Sequence, residues 1–187
     1  MKVFLKNVRL SFPSLFHASA YEEGSKPAYR AAFIIAPGSE NDKNIRAAIE
    51  EAAKEKWGAK APNKLKAYEG SKTQFCYRNG DLMDREEYEG AWILAAKRSE
   101  SKGPPAVVGR GGRGDVLTES SGKPYGGCYV NATVETWAQD GSTPGLRCTL
   151  LGVQFISDGE PFGGSLASDE DFEDLTVDDA ADDFGFA

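Results

Sequence analysis

The sequence predicts a mainly β protein: a small antiparallel barrel or curled sheet with one helix packed across it. Three observations carry this reading. About five to seven segments alternate in polarity, or run apolar, over strand-like lengths. A single stretch has apolar residues at helical spacing. Strands and helices do not alternate in the order that a parallel sheet needs. A chain of 187 residues that is 40% hydrophobic suits one domain and an appendage.

The elements follow in chain order. "KVFLKNVRLSF" puts Phe4, Val8, Leu10 and Phe12 on one face of a strand over residues 2–12, which Pro13 should end. "YRAAFIIA" (29–36) is a second strand closed by Pro37-Gly38. Ser39 and Asp42 have capping-box-like spacing before a helix, whose apolar stripe is Ile45, Ala48, Ile49, Ala52, Ala53 and Trp57. Gly58 is its expected stop. "TQFCYRNGDL" reads as a strand entering an Asn-Gly turn at 79–80, and "GAWILAAKR" (90–98) as a strand ending in two cations. A Gly-, Pro- and Ser-rich basic loop follows, too long for a tight connection and therefore expected to be functional or mobile. "CYVNATVETWA" and "GLRCTLLGVQFI" then form two long strands around "QDGSTPG". From Ser157 no period survives, so the domain is read as 1–156 and the acidic tail, 157–187, as disordered.

Charge is divided unevenly. Residues 157–187 carry 11 of the 29 acidic residues and none of the 22 Lys and Arg. The formal −7 is therefore +4 in the body and −11 in the tail. A cationic body tethered to an acidic tail suggests a partner that is a polyanion.

Several chemistries are excluded or disfavoured. No run of apolar residues is long enough to span a membrane, and the start lacks the apolar core of a secretory signal. Cys76, Cys128 and Cys148 form no C-x-x-C pair, which suits a reducing compartment, and His17 is the single histidine, so neither a metal nor another cofactor is expected. "GRGGRG" (109–114) matches a dinucleotide fingerprint in letters but opens no helix, and "RGD" (113–115) would matter only on an exported protein. The carboxylates of "DREEYEG" (84–90) lie in a loop and read as a solvated run. No catalytic residues are expected.

Polyanion binding fits better. Lys97, Arg98, Lys102, Arg110, Arg113 and Lys123 cluster on one strand end and the long loop, beside Tyr125 and Tyr129. Cations neutralise phosphates, and aromatic faces stack unpaired bases. Arg30, Lys72, Tyr77 and Arg78 join this set if their strands curl into the same groove.

Four stretches carry a resemblance: "LKNVRLSFPSLFHA" (5–18), "WILAAKRSESKGPPAVVGR" (92–110), "YGGCYVNATVETWA" (125–138) and "LLGVQFISDGEPFGG" (150–164). Through them nearly the whole chain resembles bacteriophage single-stranded DNA-binding proteins with an OB-fold core and an acidic C-terminal tail. The resemblance implies an OB-like barrel of about five strands. It also implies binding of unpaired DNA in phage replication or recombination, within the host cytoplasm. An acidic tail in such proteins docks on basic pockets of replication or recombination enzymes and competes with DNA. Asp178, Asp179, Asp182, Asp183, Phe184 and Phe186 would form that docking segment; Ala187 follows, so the terminal carboxylate is not on a phenylalanine. The competing readings are a metal-dependent DNA-processing nuclease and a DNA mimic without a DNA site of its own. Homo-oligomerisation and RNA binding stay open.

Overall fold

The structure, a computed structural model, describes residues 1–163. Seven strands form one sheet in the order β3-β4-β2-β1-β6-β7-β5: β1 Lys2–Ser19, β2 Ala28–Ile35, β3 Tyr77–Asn79, β4 Trp92–Ser99, β5 Ala106–Val108, β6 Tyr129–Gln139 and β7 Gly145–Ser157. An additional parallel pairing of β4 with β7, through Lys97 and Thr149, closes five of them into a barrel. In order around the barrel these are β1, β2, β4, β7 and β6, which is the OB connectivity. The inward rows of alternating strands fill it: Leu5, Leu10, Phe33, Ile35, Val130, Val134, Leu146 and Leu150 are all nearly inaccessible.

β1 departs from the expected strand in two ways. Pro13 does not end it; the strand continues to Ser19. Between Ser11 and Ser14 the register against β2 slips by one residue, and Phe12 takes φ 45° there. Proline lacks an N–H, and a bulge is a place in a sheet where none is needed. A second slip lies between Leu5 and Val8, with Asn7 at φ 49°. It reverses the phase of alternation, so Val3 and Leu5 point inward before it and Val8 and Leu10 after it. Phe4 and Phe12, expected in the buried row, are 62% and 50% exposed.

The helix α1 spans Glu40–Trp57, with Ser39 capping the Asp42 N–H at 3.2 Å. Acids in its first turn and Lys54 and Lys56 in its last complement the helix dipole. Ile45, Ala48, Ile49, Ala52 and Ala53 are buried, and Trp57 is half-buried. Gly58, at φ 54°, stops α1, but the chain re-enters helix as a short 3-10 turn and α2, Ala61–Tyr68, which the sequence reading lacks. Pro62 in the first turn of α2 needs no N–H partner.

The Asp42 carboxylate, 6% exposed as a residue, ties the helix to the sheet. It accepts from the Gly38 N–H and the Tyr77 hydroxyl at 2.8 Å each, and from Arg46 Nε at 2.8 Å. Burial works to raise its pKa, but those bonds and the Arg46 charge outweigh it and hold the group below the usual carboxylate range.

Asn79-Gly80 is not a hairpin turn. Gly80 lacks the positive φ that a type I′ turn requires, and it starts a 3-10 turn with no room for a Cβ between the Tyr88 and Ala91 carbonyls. β3 and β4 still pair antiparallel, joined by residues 80–91. The long loop is also more built than expected: β5 lies parallel along β7, and the Asp115 carboxylate accepts from the Gly111 N–H at 3.2 Å inside "GRGGRGD". β6 and β7 form the expected hairpin.

Residues 158–163, which the sequence reading places in the tail, pack on the body as a strap. Arg9 donates to the Glu160 carbonyl at 2.7 Å and lies 4.3 Å from the Phe162 ring centroid. Tyr125 donates to Asp158 at 2.7 Å. The disorder expected further along, and the docking residues Asp178 to Phe186, lie outside the described residues.

Candidate nucleic-acid interface

The outward row of β2 and β4 sets up the site. Arg30 pairs directly with Lys97, and Ala32 with Ala95, so small residues floor the face and two cations stand opposite each other. Lys97 pairs onward with Thr149, while Arg147 pairs with Trp137. These rows open into a groove of about 870 Å³. Its walls include Tyr21 and Lys26 from the loop joining β1 to β2. They also include Lys72 and Phe75 ahead of β3, and Thr143 from the loop joining β6 to β7.

The groove is cationic, and among the described residues none of its cations is held in an ion pair. Lys72, Arg78, Lys97, Arg147 and Lys26 line it, with Arg30 beside Lys97. Among the described residues the ion pairs are His17–Glu119, Arg46–Asp42, Lys56–Asp140 and Arg85–Glu87, none of which involves a groove cation. Glu22 is the one acid lining it. Desolvation by the walls lowers the Lys97 pKa, and the charges of Arg147 and Arg30 lower it further. Arg147 is held in place by the Thr73 carbonyl and, at 2.8 Å, the Thr143 carbonyl. Its direction is thus fixed while its charge stays free.

Aromatic faces border the cations. Tyr21 is 80% and Trp137 41% exposed. The Trp137 indole N–H donates to Thr149 at 3.0 Å, which fixes the ring on the outer surface. Arg30 lies 5.8 Å from the Tyr21 ring centroid.

Four of the residues expected from the sequence meet here: Arg30, Lys72, Arg78 and Lys97. Tyr77 does not. It is 2% exposed, bonded to Asp42 and packed 5.4 Å from the Trp92 ring, so it has no face for a base. Arg98 folds back onto the carbonyls of Gly103 (2.8 Å) and Lys102 (2.9 Å), ordering the turn after β4. Arg110 and Arg113 are exposed on the Asp115-tied loop. Lys123 lies over the Phe155 ring at 4.7 Å, Tyr125 is bonded into the strap, and Tyr129 pairs with Ser157. Arg98 adjoins the groove, whereas Arg110, Arg113, Lys123, Tyr125 and Tyr129 sit toward the far end of β7 from Arg147, roughly 20–30 Å along the strand.

Tyr21, Lys26, Phe75, Trp137 and Arg147 escaped the sequence reading. A signal existed for two of them. Val130, Ala132, Val134 and Thr136 form the buried row of β6, so strict alternation puts Trp137 outside; the same logic on β7 exposes Arg147 between Leu146 and Cys148.

A five-stranded barrel of this connectivity, with a cationic and aromatic groove on its second and third barrel strands between the 1–2 and 4–5 loops, is an OB-type oligonucleotide-binding protein. The pattern of the family described as "Enterobacter phage Enc34, ssDNA-binding protein" matches residues 1–184. The chain belongs to this family of non-enzymatic, phage single-stranded DNA-binding proteins. It is 40% identical over 181 residues, 95% of each chain, to the putative protein p50 of Acyrthosiphon pisum secondary endosymbiont phage 1. The single-stranded DNA-binding protein of bacteriophage Enc34, solved in complex with ssDNA, superposes with a TM-score of 0.71 at 26% identity, covering 87% of this chain and 89% of that one. Bacteriophage T7 gp2.5, a single-stranded DNA-binding protein, shares the fold at a TM-score of 0.52 and 15% identity, over 100% of this chain and 99% of that one. No helix among the described residues is long and apolar enough to cross a membrane.

Proposed function

We propose that the chain coats unpaired DNA during phage replication or recombination, with the strand lying in the groove between Tyr21 and Trp137. Arg30, Lys72, Arg78, Lys97, Arg147 and Lys26 neutralise successive phosphates, and Trp137, Tyr21 and Phe75 stack bases. The observation that carries this is the Arg30–Lys97 cross-strand pair, continued by Arg147, without an ion-pair partner among the described residues. Like charges opposite one another destabilise a sheet, and an anionic ligand lying between them would offset that cost. The Enc34 protein's complex with ssDNA supports the same assignment by kinship. A longer strand running on past the groove would meet Arg98, Lys102, Arg110, Arg113 and Lys123.

The acidic tail, 157–187, acts beyond its strap as a competitor for the groove and as the segment that recruits replication or recombination enzymes. Asp178, Asp179, Asp182, Asp183, Phe184 and Phe186 supply charge and apolar contact for that docking.

The test is a salt titration of binding to oligo-dT. Six neutralised phosphates give a log–log slope of about −4 on a single strand. Lys97→Glu with Arg147→Glu should flatten it. Undetectable binding in low salt, or an unchanged slope in that variant, overturns the assignment.

A further inference from the structure

The outward rows of β1, β6, β7 and β5 enclose a second concavity, about 450 Å³, which shares no lining residue with the groove. The registers place Phe4 opposite Thr133, Thr133 opposite Gly152, and Gly152 opposite Ala106. Gly152 is not at positive φ, so its backbone does not demand glycine. A Cβ there would come 3.2 Å from the Ala106 carbonyl oxygen, so the bare backbone lets β5 lie close and keeps the floor low beside the exposed Phe4 ring. Lys2 and Lys6, both exposed, flank Phe4 on the same face of β1.

The strap delivers the rest of the chain to this face. Arg9, which holds Glu160 and Phe162, belongs to the outward row of β1 and lies roughly 15 Å along the strand from Phe4. The residues beyond Gly163 include nine acids, no Lys or Arg, and the phenylalanines Phe172, Phe184 and Phe186. The stretch from Gly163 to Phe184 can extend to about 70 Å, so reach does not limit it.

We propose that the tip of the tail, residues 182–186, docks in this trough on its own chain. A phenylalanine enters over Gly152 against Phe4, and Asp182 and Asp183 pair with Lys2 and Lys6. Alternation of cation, ring and cation along β1, beside a floor without a side chain at Gly152, complements an acidic, aromatic peptide of this length, and this seat stays available while DNA fills the groove. Seating the tip here closes the acidic run into a loop held against the body. The proposal rests on the tail reading above and gives the tip a seat separate from the DNA.

Photocrosslinking of the full chain carrying Phe186→p-benzoylphenylalanine, without DNA, tests it. Crosslinks should fall in the segments around Phe4 and Ala106, within one copy when isotopically light and heavy protein are mixed. Phe4→Asp and Lys6→Glu should each cut that yield, by about fivefold or more, with unchanged folding by circular dichroism. Crosslinks to Tyr21, Trp137 or Arg147, crosslinks between copies, or none at all, would overturn the trough assignment. The DNA reading would be untouched by that result, because it stands on the salt titration.

Discussion

Arg30 and Lys97 face each other across β2 and β4 as a directly registered pair, two cations on one exposed row. Their mutual repulsion is a cost in the free protein and an advantage once a phosphate lies between them. Stability and binding therefore respond in opposite directions to the same change. Lys97→Gln should raise the unfolding free energy measured in urea, by about 0.2–1 kcal/mol, and lower the salt slope for single-stranded DNA by about 0.7. If both quantities fall together, Lys97 is a structural residue and not a phosphate ligand.

Trp137 should report binding directly. Its ring is outside the barrel and fixed by Thr149, while Trp57 and Trp92 are half-buried against α2 and Tyr77 respectively. Oligo-dT should quench its fluorescence. Trp137→Ala should weaken binding by about 1–3 kcal/mol, the usual worth of one stacked base. Unchanged affinity would remove Trp137 from the interface.

Asp42 sets a pH limit on the body. Its pKa is depressed in the folded state, so its contribution is fully present above the unfolded carboxylate value of about 3.9 and is lost as pH falls through the lower folded value. Asp42→Ala, which leaves the buried Tyr77 hydroxyl without its acceptor, should cost about 2–3 kcal/mol at neutral pH. Urea unfolding of both proteins should converge on acidification; a gap that persists at the lowest pH would point to packing rather than charge.

Deleting residues 165–187 should tighten binding to oligo-dT and leave the body more sensitive to acidic peptide added in trans. The remaining body is cationic, and a tethered polyanion competes at high effective concentration. Equal or weaker binding by the shortened chain would end the competition reading while leaving partner recruitment intact.

The barrel was legible because its strands alternate cleanly: β6, β7 and β2 have one buried residue in two almost throughout. β1 departs from simple alternation because its phase is reset at Asn7 and Phe12; Asn tolerates a left-handed backbone, but nothing in a phenylalanine signals one. The site was half legible. Lys97 and Arg30 stood out as strand cations, but their apposition depends on a register that sequence alone does not state. Tyr77 looked like a free aromatic because its partner, Asp42, lies 35 residues away in another element. Arg147 is a lone cation in an otherwise apolar strand, and alternation alone places it outside.

The closure of the barrel by the lone Lys97–Thr149 pairing has a mechanical consequence. A strand of DNA that touches Arg30, Lys97 and Arg147 crosses from β2 over β4 to β7, and so bridges the seam. Opening the seam then requires giving up bound phosphate, and occupancy works as a brace. Amide hydrogen exchange at Lys97 and Thr149 should slow on binding more than exchange in the β1–β6 ladder, which the ligand does not span. Coating the nucleic acid and hardening the protein would be one and the same act.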